Sequence, residues 1–217
     1  MYLKTDTHMT DFAMIKVISY LVQDITGEEQ DKHTANLLGR LLEERRVIGD
    51  LGSKLISKPS AIVSYLIPDW EMREFHNNLS GGNNGITDLY FSRNAIYKKR
   101  VLWFGDSFGR AGARILSYFF SEVMFLRTGF FYPDIYDQIK PDILITENVE
   151  RYLDVSVSDD DRPSYFMLPY LSKAGYQPSY EFAESFSAEL SFPRRPYAHF
   201  VASLFKAERG LSATPVA

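Results

Sequence analysis

The sequence predicts an α/β fold with a central, mainly parallel sheet, and three observations predict it. Val101-Leu102-Trp103-Phe104 is an uninterrupted apolar run behind the basic Lys98-Lys99-Arg100, as in a strand covered on both faces of a parallel sheet. Gly105 permits a tight exit, and from Gly109 onward the spacing shifts to Ala111, Ile115, Tyr118, Phe119 and Glu122, a helical stripe that begins a residue or two beyond Ser107. Ile143-Leu144-Ile145-Thr146, introduced by Pro141-Asp142, is a second β-branched run of the buried parallel kind.

The other elements follow in chain order. Tyr2 to Thr5 reads as a short strand or edge segment leading into Asp6-Thr7-His8. Thr10 is a suitable N-cap for a helix from about Asp11 to Ile25, with Gly27 as its stop. Phe12, Ile15, Ser19, Val22 and Ile25 mark one face of that helix, and Met14, Val17, Ile18 and Leu21 widen it, so it is expected to be well buried and to pin the preceding loop. Thr34 to Val47 reads as a second helix, leucines on one side and the mixed charges of Glu43 to Arg46 on a solvated other. Ala61 to Ile67 is apolar enough for a strand. Phe75 to Thr87 is dense in Asn and Gly and reads as a long loop, either a surface excursion or a cover over a site. Val123 to Leu126 is a further strand and Tyr136 to Lys140 a helical turn. Tyr165 to Phe205 is aromatic without a clean period and reads mostly as packing, with sugar stacking as the functional alternative.

One sizeable core is expected from 217 residues that are 45% hydrophobic, giving a single domain over 1–210 and a flexible tail over 211–217. A formal net charge of −4 argues against a surface built for nucleic acid. Without cysteine there is no disulfide, thiolate catalysis or cysteine-ligated metal. No signal-peptide pattern opens the chain and no run of about 18 apolar residues follows, so no membrane span is expected. Asp159-Asp160-Asp161 lacks the spacing of a cation-binding loop and reads as a solvated turn. The glycines at 105, 109 and 112 lack the Lys-Ser/Thr pair of a phosphate-binding loop, and neither cofactor nor metal is expected.

The chemistry centres on Ser107, set between the carboxyl end of a strand and the amino end of a helix. Ligand sites of open α/β sheets lie there, and the helix end favours the negative charge that develops in acyl transfer. Asp106 and Ser107 are equally ordinary helix caps, so the local sequence reads both ways. A serine nucleophile needs a base, and the chain has four histidines. His33, His76 and His199 each sit in polar surroundings with an ordinary solvent-facing explanation. His8 follows Asp6 by two residues in a segment pinned by a buried helix, where the carboxylate can fix the imidazole tautomer. Adjacent in space to Ser107, the pair would complete a Ser–His–Asp arrangement; it would equally serve as a loop capping a helix.

TDTHMTDFA around Asp6 and His8, VLWFGDSF at Ser107 and the following PDILITENVERYL together resemble the SGNH-hydrolase-like domain of the alginate O-acetyltransferase family. The resemblance covers Tyr2 to Ile18 and about Arg100 to Leu153. In that family an Asp-x-His motif, commonly DTHW, precedes the GDS-type serine motif, the reverse of ordinary SGNH esterases; here Met9 stands in place of the Trp. The resemblance implies a three-layer fold, Ser107 as nucleophile, His8 as general base and then acid, and Asp6 as its orienting partner. It also implies an oxyanion site made by the Ser107 N–H and a second donor, for which Asn148 and Arg151 are both candidates. An ion pair with Glu147 or Glu150 is the structural alternative for Arg151.

The activity so implied is O-acetylation of an exopolysaccharide through an acetyl-serine, with a polysaccharide acceptor, an acetyl donor and a membrane-bound acetyl-transfer partner, in the periplasm. A carbohydrate acetylesterase uses the same residues. A non-catalytic polysaccharide-binding or scaffold member is the alternative from another class. The family carries sequence and an export signal ahead of the Asp-x-His motif, so a cytoplasmic or amino-terminally shortened chain, with an early strand missing from the sheet, is also expected to fit.

Overall fold

The computed structural model describes residues 2, 4–80, 84–150, 152 and 158–190. The Thr10 hydroxyl accepts from the Ala13 N–H at 3.3 Å, and α1 (Asp11–Thr26) then runs to Gly27 as predicted. α2 (Asp31–Leu38) follows and buries Leu37 in the same cluster as Ile15, Ile18 and Val22 of α1. The helix predicted over 34–47 is corrected here. Leu41–Val47 is instead a strand, β1, paired antiparallel with β2 (Ala61–Leu66) in a two-stranded sheet of its own. Pairing gives the β1 backbone its hydrogen-bond partners, and that tertiary gain outweighs the modest helix preference of the Leu/Glu/Arg run. Glu44, Arg45 and Arg46 still face solvent. Among the described residues of the expected strand or edge segment over Tyr2 to Thr5, a single antiparallel bridge joins Tyr2 to Met9.

The main sheet has five strands in the order β3-β4-β6-β5-β7, with β3 (Met72–His76), β4 (Thr87–Ser92), β5 (Tyr97–Gly105), β6 (Phe120–Arg127) and β7 (Ile143–Thr146). It is mixed rather than mainly parallel. β5 runs parallel to β6 and β7, whereas β3–β4 and β4–β6 are antiparallel. The connection over 77–86 is too short for the crossover that parallel neighbours need, so β3 and β4 form a hairpin. The loop expected over Phe75–Thr87 is thus shorter, its first two residues completing β3. Its base is fastened by Asn77, which is buried and donates from Nδ2 to the Gly85 carbonyl at 2.7 Å. β7 is parallel as predicted but half-exposed, because it closes one edge of the sheet.

Helices cover both faces. α1 and α3 (Ser107–Phe119) pack over Tyr90, Val101, Trp103, Val123 and Phe125. On the other face α4 (Pro133–Ile139) and α6 (Tyr180–Leu190) pack over Leu89, Leu102, Phe104, Met124 and Leu126, joined by Leu168 of α5 (Leu168–Ser172). The alternation of those sheet residues between two clusters is the strand period of two expressed in a buried sheet. Within the aromatic carboxyl-terminal stretch, Tyr165, Phe182 and Phe186 are core; residues 191–217, the predicted tail among them, lie outside the described residues.

Candidate active site

β5 ends at Gly105, Asp106 takes extended backbone as N-cap, and α3 begins on Ser107 itself rather than a residue or two beyond it. The Asp106 carboxylate accepts from the Phe108 N–H at 2.7 Å and from the Val149 N–H at 2.8 Å, tying the helix start to the loop after β7. From that loop Glu147 turns its carboxyl inward, accepting from the Asp106 N–H at 3.2 Å and from the Gly109 N–H. The two glycines make this possible. A Cβ on Gly105 would stand 2.6 Å, and one on Gly109 2.5 Å, from the Glu147 Oε2. Burial, reinforced by the neighbouring Asp106 charge, pushes the Glu147 carboxyl up to about 7. The Phe108 and Gly109 N–H groups are thereby taken by carboxylates, and the remaining N–H of this first turn up to Gly109 is that of Ser107.

The Asp6–His8 segment reaches the serine from the other side. His8 Nε2 lies 3.1 Å from Ser107 Oγ and His8 Nδ1 lies 2.7 Å from Asp6 Oδ1, while the ring stacks on Phe108 with centroids 4.8 Å apart. The segment is irregular, so its shape is imposed from outside by the loop after β1. Leu51 and Gly52 both donate backbone N–H groups to the Thr5 carbonyl, at 3.1 and 2.8 Å, and the Asp50 N–H donates to Asp6 Oδ2 at 3.2 Å. The Asp50 carboxylate in turn accepts from the Thr7 hydroxyl at 2.6 Å and N–H at 2.8 Å, and the hydroxyl bond holds it below the usual carboxylate range. Gly49 permits this approach, since a Cβ there would stand 2.1 Å from the Thr5 carbonyl oxygen and 2.5 Å from Asp6 Cβ. Asp6, His8 and Asp50 gather potential ligand atoms within 4.8 Å of one another, but those groups are already engaged in the hydrogen bonds just described.

The structure therefore brings together Ser107, His8 and Asp6. Asn148 stands on the same carboxyl edge of the sheet, exposed, with its amide oxygen over Gly129. Arg151 lies outside the described residues. A cleft of about 520 Å³ opens at Ser107, lined also by Tyr65, Glu74, His76, Arg110 and Arg114. Here His76 departs from the ordinary surface residue expected. It is the cross-strand partner of Asp88, and its Nδ1 lies 2.6 Å from Asp88 Oδ1. Asp88 is fully buried, and Arg110, one helical turn from Ser107, donates to it from both Nε (2.5 Å) and Nη2 (2.9 Å). Burial alone would raise the Asp88 carboxyl; the bonds from His76 and Arg110 outweigh it and bring the carboxyl below its ordinary value, while the bond to Asp88 lifts His76 above its own.

Fold and site together define an α/β chain with a hydrogen-bonded Ser–His–Asp set at the carboxyl edge of its sheet. No family model matches the chain, and no curated protein does. Solved structures are similar. PatB1 from Bacillus cereus is 15% identical with a TM-score of 0.51 over 70% of this chain and 63% of that one, and the same protein with a sulfonyl adduct is 15% identical with a TM-score of 0.50 over 74% and 64%. A DHHW family protein from Eubacterium siraeum DSM 15702 is 14% identical with a TM-score of 0.52 over 73% and 62%. The chain spans less than two thirds of the length of each. At such identity the likeness is one of fold.

Proposed function

We propose that this chain is a serine-dependent acyl-transfer enzyme of the SGNH type, an O-acetyltransferase that moves acetyl onto a polysaccharide through an acetyl-Ser107 intermediate. The observation that carries the reading is the unbroken path from Asp6 through His8 to Ser107, at 2.7 and 3.1 Å. With Asp6 on Nδ1, the neutral imidazole presents Nε2 as acceptor to the serine hydroxyl. His8 takes the Ser107 proton as Oγ attacks the donor carbonyl, then returns it to the leaving group. In the second half, His8 takes the proton of the incoming hydroxyl and returns it to Ser107 as the acetyl departs. The oxyanion is met at the start of α3 by the Ser107 N–H, the donor of that turn that the carboxylates of Asp106 and Glu147 do not occupy. Asn148 and Arg151 remain the candidates for the second donor.

The half-exposed His8, 40% accessible at its side chain, favours a second reading in which water is the acceptor and the chain is a carbohydrate acetylesterase. The single domain over 1–210, the periplasmic setting, the acetyl donor and the membrane-bound partner are part of this proposal on the strength of the motif resemblance. Among the described residues no helix is long and apolar enough to cross a membrane.

Labelling with a fluorophosphonate probe, read by intact mass, tests the proposal. Wild type is expected to take up one probe, Ser107→Ala none, and His8→Ala to label at least about 10³-fold more slowly. A sulfonyl fluoride is a suitable second probe, because PatB1 has been seen with a sulfonyl adduct. A folded wild type that neither probe modifies would point to the non-catalytic binding or scaffold alternative.

A further inference from the structure

The wall of the cleft beyond Ser107 carries charges in strict alternation. Arg110 binds Asp88, Asp88 binds His76, His76 Nε2 lies 3.6 Å from Glu74 Oε2, and Glu74 Oε2 lies 3.4 Å from Arg114 Nε. Arg110 and Arg114 follow Ser107 at one and two turns of α3, so the row starts beside the nucleophile and runs away from it. His76 and Glu74 project from β3 on the opposite side of the same cleft. The row is anchored at its centre by Asp88, whose side chain is fully buried, while the groups on either side keep part of their surface in the cleft.

Two arginines and the imidazolium of His76 stand in alternation with two carboxylates, so charges of both signs line the row and no ion of one sign finds partners along it. What it presents to the cleft is a fixed sequence of donors and acceptors: Arg110 guanidinium N–H, His76 imidazolium N–H, Glu74 carboxylate oxygen, Arg114 guanidinium N–H. A hydroxyl both donates and accepts, and a row of neighbouring hydroxyls matches such a sequence where a carboxylate or an ammonium matches only half of it. Resting on the acyl-transfer reading above, we propose that His76, held by Asp88 and Arg110, is the acceptor-side positioning residue of this enzyme, and that with Glu74 it seats a neutral polyol so that one hydroxyl reaches the acyl-Ser107. The step it serves balances simply. The acceptor oxygen bonds to the acyl carbon, the bond from that carbon to Ser107 Oγ breaks, and the hydroxyl proton passes through His8 Nε2 to Ser107 Oγ. His76 takes no proton; with Nδ1–H on Asp88 and Glu74 beside Nε2 it stands as the imidazolium and donates its Nε2–H to a neighbouring oxygen of the acceptor.

The test is a partition experiment with p-nitrophenyl acetate as donor in molar glycerol, with methanol in a parallel series. The ratio of glyceryl acetate to free acetate depends only on how one acetyl-enzyme divides, not on how fast it forms. In wild type glycerol is expected to capture acetyl in preference to methanol at equal hydroxyl concentration. His76→Gln is expected to lower the glycerol ratio about tenfold relative to the methanol ratio, the loss of one well-placed hydrogen bond. Glu74→Gln, on the solvent-facing edge strand, should lower it about threefold and guards against misfolding of the first variant. A nitrophenol burst with no preference for glycerol, or with equal losses for glycerol and methanol in both variants, overturns the polyol site while leaving Ser107 as nucleophile. No burst in wild type overturns the acyl-transfer reading itself, and this one with it.

Discussion

Two His–Asp pairs stand by the cleft at Ser107, one reaching it through the serine and the other through its wall, and they are built in opposite ways. Asp6 and His8 lie two residues apart on an irregular segment that the loop over 49–52 grips from outside, and the imidazole is left half-exposed and aimed at Ser107. His76 and Asp88 belong to two strands, meet by sheet register, and share with Arg110 a carboxylate that is itself fully buried. The first pair borrows its position from a loop. The second is part of the sheet. A carboxylate that orients a working base can sit in a replaceable loop, whereas a fully buried carboxylate that needs an arginine and a histidine as partners is part of what holds the fold together.

Mutation of the two carboxylates should separate these roles most strongly. Asp88→Ala removes the shared partner of Arg110 and His76, both of which keep part of their surface in the cleft, and is expected to cost about 1 to 3 kcal/mol in denaturant unfolding. Asp6→Ala should cost less stability than Asp88→Ala while slowing probe labelling far more; the reverse order would break the comparison. Gly49→Ala comes next. Its Cβ would collide with the Thr5 carbonyl and Asp6 Cβ, so the segment must shift, and a displacement of about 1 Å is expected to slow labelling about 10²-fold. Unchanged labelling in that variant would mean the loop does not set the position of Asp6.

The smallest effect concerns the carboxyl beneath the elbow. Glu147 binds its proton more tightly in the fold than in the unfolded chain, so its contribution is greatest below its usual pKa of about 4.5 and is lost as pH rises through about 7. Glu147→Gln, which cannot ionise, should flatten that decline by on the order of 1 to 2 kcal/mol, discounted for partial exposure. Unfolding curves at pH 5 and pH 8 for both proteins measure it, and parallel declines in the two would contradict the assignment.

These contrasts also explain what was legible in the sequence. Asp6, His8 and Ser107 could be named because each sits in a compact motif beside an unmistakable element, α1 or β5. His76 could not, because its partner lies twelve residues on across the Asn/Gly loop and only the register of β3 on β4 brings them together. An acid within the apolar run Thr87 to Phe91 was the available signal, since a buried Asp needs partners. β1 stayed hidden because Glu44 to Arg46 suit a solvated helix as well as a solvated strand. Glu147 depended on β7 pairing with β5, although Gly105 and Gly109, spaced either side of the elbow, mark the room it fills.

The most direct measurement is peptide mass spectrometry on protein quenched soon after mixing with p-nitrophenyl acetate. One acetyl group on the peptide carrying Ser107, absent in His8→Ala over the same interval, is the result expected. An acetyl group elsewhere, or on Ser107 at the same rate without His8, would contradict the path from Asp6 through His8 to the serine.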